Sequence, residues 1–218
     1  MPTTLPQDLF DICVGSILGD STLYAAKKDG AKLKFAQGYK HKLYVEHLFS
    51  LFQKWTFYLE PRREVRKNGK RAGLVHAYYF RTFRHTAFRP LKEIFLDNNN
   101  KKVYKEGTIT KYLSPLGLRY WVADDGSLQR CNEVILNTQS FTKEINEAIS
   151  RELNQKFSLH SKVKPRDKYW IIYIPASDAP VLRKLLWGLP ASIMRKLPKL
   201  KNKNKNLNSL SFNTTTQS

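Results

Sequence analysis

Hydrophobic and polar residues alternate along the chain in blocks that predict a series of short helices and strands. Residues 9–19 predict a helix that is apolar on all sides, which is typical of a helix buried between two layers. Residues 41–55 predict an amphipathic helix with one apolar stripe, formed by Leu43, Tyr44, His47, Leu48, Leu51 and Phe52. The segments between and after them predict four strands, at 21–24, 33–37, 62–66 and 74–82, and a third helix at 85–96. Asn68-Gly69 predicts a hairpin turn between the last two strands.

The same order of elements repeats in the second part of the chain. Ser114 and Pro115 predict a capped helix start, with proline at the first helical position. This helix, to about residue 124, is followed by strands near 126–129, 133–138, 162–165 and 169–175, and by helices at 142–156 and 178–187. Asp20 and Asp125 then occupy equivalent positions, as do Gln37 and Gln139. The repeat predicts an α+β fold, a pseudo-two-fold duplication of αββαββα with two four-stranded antiparallel sheets side by side.

The composition of the segments sets the expected limits of the two halves. We assign residues 1–97 to the first half and 114–198 to the second, with the polar residues 98–113 as a linker. Residues 199–218 contain four lysines, no acid and several repeated Lys-Asn pairs. This low complexity predicts a basic, disordered tail.

The net charge points to a polyanionic partner. The chain has 38 Lys and Arg against 18 Asp and Glu, a formal net charge of +20, and such an imbalance opposes compaction unless an anion neutralises it. Nucleic acid is the expected partner, since no apolar run approaches the 18 residues of a membrane span. Residues 1–8 have no positive charge, so no transit peptide is expected. Cys13 and Cys131 are predicted to be reduced core residues.

Asp20 and Asp125 stand at unfavourable positions. Each follows an apolar helix and faces the negative end of the helix dipole, which costs on the order of 0.3–1 kcal/mol. Taken singly, either residue is adequately explained as part of a turn signal. As a symmetric pair in a strongly basic chain, the two carboxylates indicate a bound divalent cation with oxygen ligands.

The segments that carry these acids resemble the two motifs of LAGLIDADG homing endonucleases. Residues 14–20 (Val-Gly-Ser-Ile-Leu-Gly-Asp) resemble the first motif and residues 118–126 (Leu-Arg-Tyr-Trp-Val-Ala-Asp-Asp-Gly) the second. Further matching stretches follow in order at 99–102, 112–115, 136–141 and 196–198, so the resemblance covers about residues 9–198. The second motif departs from the pattern where Tyr120 and Asp124 replace small residues. That departure puts close packing of the second motif helix in doubt.

The resemblance implies roles for four residues. Asp20 and Asp125 would bind divalent metal, Mg²⁺ or Mn²⁺, and Lys102 and Lys196, each after the final helix of its half, would assist the chemistry. From the residues alone, the lysines are better explained as caps that hydrogen-bond the last carbonyls of a helix. The histidines have no metal-binding spacing and receive no catalytic role.

Alternation in the strands predicts a basic sheet surface that binds DNA. Every second residue of each strand points away from the core. The hairpin around residue 69 also contains many basic side chains. A saddle of two such sheets fits the major groove, where side chains can distinguish all four base pairs. The predicted DNA-binding residues are Lys32, Lys34, Arg62, Arg66, Lys67, Lys70, Arg71, Lys162, Lys164, Arg166 and Tyr169.

These features together predict a monomeric, metal-dependent endonuclease that makes a double-strand break in a long asymmetric DNA target. The resemblance implies short 3′ overhangs, an intron-insertion site as target, and a gene in an intron of a chloroplast or mitochondrion. An RNA maturase of the same fold, which assists splicing without cutting, is the alternative. A basic ribosome-associated RNA binder is a third possibility, but it would not need paired acids at buried helix ends.

Overall fold

The computed structural model describes residues 3–25, 30–70, 72–196 and 198–199. The first half contains α1 (Gln7–Leu18), β1 (Thr22–Ala25), β2 (Ala31–Gly38), α2 (Lys42–Leu51), β3 (Arg62–Val65), β4 (Val75–Arg81) and α3 (Arg89–Phe95). The remainder contains α4 (Thr108–Tyr112), α5 (Pro115–Asp125), β5 (Gly126–Leu128), β6 (Val134–Leu136), α6 (Lys143–Phe157), β7 (Lys162–Arg166), β8 (Tyr169–Ile174) and α7 (Ala179–Leu185). Short 3₁₀ turns lie at Tyr39–His41, Gln53–Trp55, Thr86–Phe88, Ala176–Asp178 and Ala191–Lys196.

The strands form two antiparallel four-stranded sheets with the same connectivity. Their orders are β1-β2-β4-β3 and β5-β6-β8-β7, so the strand that follows each motif helix is an edge strand. The predicted α+β duplication is therefore confirmed. The register makes Lys34 and Ile135 equivalent, since Thr22 pairs with Lys34 and Ser127 pairs with Ile135. The second ladder ends at Leu136, whereas Gln37 is still paired with Tyr78, so the equivalence of Gln37 and Gln139 stays a prediction.

Helices α1 and α5 pack against each other at the centre of the molecule. Residues 11–18 of α1 are all buried, as the absence of a polar face predicted. The contact is close because both helices present glycine: a Cβ on Gly15 would lie 1.9 Å from the carbonyl oxygen of Gly117. The doubt raised by Tyr120 is thus resolved, since Gly117, one turn earlier in α5, supplies the small residue. The Ser114 hydroxyl caps α5 as predicted, accepting from the Gly117 N–H at 3.1 Å.

One local prediction was wrong, and another was confirmed. The predicted stripe of α2 included Leu43 and Leu51, but these are 67% and 36% exposed, and Val45 and Phe49 are buried instead. The buried face is therefore rotated, because the helix packs on β2 and β4 and ends at Leu51, with a 3₁₀ turn beyond. The hairpin predicted around Asn68-Gly69 is confirmed, since β3 and β4 pair as antiparallel neighbours, with a connecting loop from Val65 to Val75.

The predicted linker, residues 98–113, is structured over its second part. It contains α4, which packs on α6 and buries Thr108 and Ile109. The Glu152 carboxylate of α6 holds this segment by accepting from Tyr104 Oη, Gly107 N, Thr110 N and Thr110 Oγ1 at 2.7 to 3.1 Å.

The two cysteines differ from each other. Cys13 is buried as predicted, but Cys131 is exposed, because it lies in the turn between β5 and β6 where no layer covers it. The predicted tail, apart from Lys199, lies outside the described residues, as do Arg71 and Leu197. No helix in the described part of the chain is long and apolar enough to cross a membrane.

Candidate active site and nucleic-acid interface

The adjacent ends of α1 and α5 bring acidic side chains of both halves together. Gln37, at the end of β2, donates through Nε2 to Asp20 Oδ2 at 2.8 Å and to Asp124 Oδ1 at 3.1 Å. The Asp20 backbone N–H also donates to Asp124 Oδ2 at 3.4 Å. The immediate partner of Asp20 across the helix pair is therefore Asp124, whose side chain occupies the space opposite Gly19, where a Cβ would lie 2.6 Å from Asp124 Cβ.

Asp125 lies in a different environment from Asp20. Its Oδ2 accepts a 3.3 Å hydrogen bond from Trp121 Nε1 of its own helix, and its backbone carbonyl accepts from Asn137 Nδ2 at 2.6 Å. Asp125 is half-buried, whereas Asp20 is exposed. Burial and the negative charge of Asp20 raise the pKa of Asp125 to about 7, against the opposing effects of Trp121, Lys102 and Lys196.

Excess negative charge accumulates at this point of a strongly basic protein. Burial and the Asp20 carboxylate raise the pKa of Asp124 well above its ordinary value. Burial and the Asp124 carboxylate likewise raise the pKa of the Tyr44 hydroxyl. Because the Asp20 carboxylate disfavours the charged forms of both Asp124 and Asp125, a cation at this point would relieve the repulsion, and the cluster is electrostatically suited to bind one.

The donor set fits Mg²⁺ or Mn²⁺. The acids offer carboxylate oxygens, which these hard cations prefer, and neither histidine nor cysteine is part of the cluster. Within the described ranges, no group of three or more His, Cys, Asp or Glu side chains could hold a metal ion by itself. A site built from Asp20 and Asp125 would therefore leave coordination positions for water and phosphate, as Mg²⁺ sites commonly do.

Lys102 and Lys196 reach the ends of the motif helices of their own halves. Lys102 Nζ donates to the Gly19 carbonyl at 3.3 Å. Lys196 Nζ donates to the carbonyls of Val122, Ala123 and Asp124 at 3.4, 2.5 and 3.0 Å. Partial burial lowers the pKa of Lys196, while the carboxylates of Asp124, Asp125 and Asp20 oppose that shift. Both lysines thus cap a helix, and both lie beside the acidic cluster.

The outward face of the first sheet contains basic side chains on an aromatic centre. The strand register puts Lys34 opposite Arg81, and Arg62 opposite Tyr79, on one face. Lys34 Nζ and the Arg81 guanidinium lie 4.7 and 5.5 Å from the centre of the Tyr79 ring. Lys32 lies on the same face, 5.7 Å from the Tyr24 ring. We call this set, completed by Glu64, the first outward face.

The outward face of the second sheet has a similar composition. Lys162, Lys164 and Arg166 alternate along β7, and their partners on β8 include Tyr173 and Tyr169. Lys164 Nζ lies 3.2 Å from the centre of the Tyr173 ring, and Arg166 donates to Asn137 Oδ1 at 3.2 Å. Through Asn137, Arg166 is connected to the backbone of Asp125.

Other predicted DNA-binding residues lie beyond the strands. Arg66, Lys67 and Lys70 are exposed in the loop between β3 and β4, and Arg71 is outside the described residues. Sequence analysis missed Asp124 and Gln37 as partners of Asp20, and Tyr79 and Arg81 as members of the first outward face. Alternation around the buried Phe80 could have identified the last two, since its neighbours must point outward.

Comparison with known proteins gives a consistent result. Residues 10–182 match the LAGLIDADG DNA endonuclease family. A probable intron-encoded endonuclease 1 from Wickerhamomyces canadensis is 30% identical over 190 residues, 84% of this chain and 80% of the relative. A probable intron-encoded DNA endonuclease 3 from Mycosarcoma maydis is 39% identical over 118 residues, 52% of this chain and 87% of the relative.

A solved structure and a second kind of relative complete the comparison. The homing endonuclease I-WcaI bound to its DNA recognition sequence superposes with a TM-score of 0.81 at 30% identity, covering 90% of this chain and 88% of that one. The cytochrome b mRNA maturase bI2 of Saccharomyces cerevisiae is 25% identical over 194 residues, 84% of this chain and 45% of the maturase.

Proposed function

We propose that this chain, which belongs to the LAGLIDADG DNA endonuclease family, cuts both strands of one long asymmetric DNA target at an intron-insertion site. The observation that carries the proposal is the acidic cluster at the ends of α1 and α5, between the edge strands of two sheets with basic outward faces. Duplex DNA bound along both faces would have its backbone beside the acids. The similarity to a homing endonuclease structure solved with DNA supports this arrangement.

Asp20 and Asp125 would hold Mg²⁺ or Mn²⁺. When bound, the metal would activate water and stabilise the leaving 3′-oxygen of the phosphodiester. Gln37 and Trp121 hold the two carboxylates through hydrogen bonds, so that each has a fixed orientation before DNA arrives. Lys102 and Lys196 would contribute positive charge where the scissile phosphates lie. The products would have short 3′ overhangs, as the family resemblance implies.

The test of this function is a cleavage assay on candidate insertion sites. A plasmid library of intron-insertion junctions is incubated with the protein in Mg²⁺, and the DNA ends are mapped. Asp20→Asn and Asp125→Asn should each lower cutting more than about 100-fold, the upper effect of losing an outer partner of a metal ligand. Both variants should still bind target duplex in Ca²⁺. Full cleavage by Asp20→Asn would contradict the assignment. Glu106→Gln is the matched control, because Glu106 is an exposed carboxylate that pairs with Arg151 and is not part of the acidic cluster.

The alternative function is that of an RNA maturase, which the similarity to a cytochrome b mRNA maturase favours. The two functions differ in the preferred nucleic acid. If roughly eight basic groups contact duplex phosphates, the logarithm of DNA affinity should fall with the logarithm of salt concentration at a slope of about −7. A slope near −2, with intron RNA displacing DNA, would support the maturase instead.

The likeness to intron-encoded fungal proteins also supports an origin in an organellar intron. We therefore place the proposed activity in a mitochondrion, where an intron-insertion site of the same genome would be the target. Sequencing the ends produced in the junction library would identify that site directly.

A further inference from the structure

The first outward face contains one carboxylate, and its position suggests a role in target choice. Glu64 is the sole acidic residue within the described strands β1 to β4. Its Oε2 lies 3.3 Å from Lys34 Nζ, with 42% of the Glu64 side chain and 18% of the Lys34 side chain exposed. We propose that Glu64 is a specificity-determining residue, and that with Lys34 it selects a C·G base pair in the target. This inference rests on the proposed function.

The strand register explains how the two charged groups meet. Glu64 is opposite Ala77 on β4, and Tyr79, the next outward residue, is opposite Ala36 on β2. Lys34 and Glu64 are on non-neighbouring strands, so their side chains must extend toward each other along the surface. The small side chains of Ala36 and Ala77 leave that path open, and the Tyr79 ring lies beneath the Lys34 ammonium. The pair therefore stands at the surface of the sheet, above a shallow floor.

Stability does not account for a carboxylate at this position. An ion pair of this exposure contributes little to folding, because solvent screens it and two long side chains lose freedom to form it. On a face of arginines and lysines, Glu64 also repels the phosphates that the remaining side chains attract. Recognition of a base does account for it, because a carboxylate accepts a hydrogen bond that arginine and lysine cannot accept.

The chemistry of the pair matches one base pair. In the major groove cytosine presents its N4 amino donor beside the O6 and N7 acceptors of guanine. Glu64 retains free lone pairs on Oε1, which can accept from cytosine N4, and Lys34 can donate to guanine O6 or N7. The ion pair holds acceptor and donor side by side at 3.3 Å before DNA binds. Adenine also offers a donor, N6, but it lies beside the N7 acceptor, which repels the carboxylate, and its partner thymine offers Lys34 one acceptor instead of two. A thymine or a reversed pair would move the donor away from the carboxylate.

The test is a binding profile measured in Ca²⁺, where cutting does not interfere. Duplexes carrying every single base-pair change of the mapped target are compared for the parent protein, E64A, E64Q and the control E106Q. The control removes an exposed carboxylate that pairs with Arg151 of α6 and belongs to no strand. The parent should favour C·G at one position by about tenfold. E64A should lose that preference alone, while E64Q should shift it toward A·T, because glutamine pairs with adenine N6 and N7.

The outcomes separate this proposal from the function on which it rests. An unchanged E64A profile, or weakening that is equal at every position, would overturn the role of Glu64 while leaving the endonuclease proposal in place. A parent protein that binds all duplexes equally, or that does not cut in Mg²⁺, would overturn both. If E64A changed the base preference at a position where E64Q did not, direct contact between Glu64 and that base would be excluded.

Discussion

The two halves share a backbone plan but surround their equivalent acids with different side chains. In the first half, Gly19 precedes Asp20 and has no side chain to offer. In the second half, Asp124 precedes Asp125 and reaches across the helix pair to Gln37 and the Asp20 backbone. Consequently Asp20 is held by groups from both halves, whereas the Asp125 side chain is held by Trp121 of its own helix. Duplication preserved the position of the acids and left their hydrogen bonds free to diverge.

The helix contact shows the same divergence one turn earlier. Gly15 is in direct contact with α5, but its sequence equivalent, Tyr120, is turned toward α2, where its hydroxyl lies 2.7 Å from His47 Nε2. Gly117, and not residue 120, is the small residue of α5 that contacts Gly15. The close approach of the helices is thus maintained by glycines that are not related by the internal symmetry.

Gly15→Ala should produce the largest loss of stability. The new Cβ would meet the Gly117 carbonyl, which is backbone and cannot turn away, so the helices must separate. We expect a loss of about 3 kcal/mol or more, at the upper end of overpacking effects, measured by urea unfolding. Gly38→Ala is the control, because no atom lies within 4 Å of the Cβ position there. Equal stability of the two variants would contradict the glycine contact.

Asp125→Asn should change how the stability of the protein depends on pH, which tests the environment of the second acid. The folded state binds the Asp125 proton more tightly than the unfolded state, since its pKa is about 7 rather than near 4. Without divalent metal, the stability that protonation provides is present at pH 4 and is lost as pH rises through 7. In EDTA, the variant should therefore be more stable than the parent by about 4 kcal/mol at pH 8, since each of the three pKa units corresponds to about 1.4 kcal/mol, and as stable as the parent at pH 4. Thermal unfolding across that range measures the difference.

Glu152→Gln provides a control of opposite sign. Burial of Glu152 works against its charge, but hydrogen bonds from Thr110, Gly107 and Tyr104 outweigh that effect and lower the pKa of its carboxyl. The parent should be the more stable protein at pH 7, and its advantage should shrink as pH falls below 4. If both substitutions gave the same pH dependence, the change would reflect net charge and not the two local environments.

The smallest expected effect is a difference in stability between variants of Lys196 and Lys102. Lys196 donates to three carbonyls and Lys102 to one, so Lys196→Met should cost about 1–2 kcal/mol and Lys102→Met about 0.5 kcal/mol. Urea unfolding checks the stability, and cleavage by each variant shows whether both lysines also serve the chemistry. A larger loss for Lys102→Met would show that the capping contacts do not determine stability here.

The fold was predictable because periodicity is a local property, whereas the partners of the acids depend on how distant segments meet. A few adjacent residues are enough to predict each of these helices: Ser114 and Pro115 indicate the start of α5, and an all-apolar stretch indicates the buried α1. The contacts of Gln37 with Asp20 and Asp124 were missed because sequence offsets cannot show which helix end lies beside the end of β2. Asp124 was taken for an obstacle to packing, since nothing in its own motif indicates that Gly19 leaves space for it. Cys131 was misassigned because cysteine is most often buried, although its chain neighbours Arg130 and Asn132 are polar and fit an exposed turn.

The hydrogen bonds that Glu152 accepts from residues 104–110 limit where such genes can recombine. This segment precedes the second motif helix, yet its hydrogen bonds belong to α6. A crossover that exchanges halves between two relatives at residue 113 would separate α4 from its carboxylate. One placed between Phe95 and Tyr104 would transfer α4 and Glu152 as a unit, so viable hybrids of this lineage should carry their joints there.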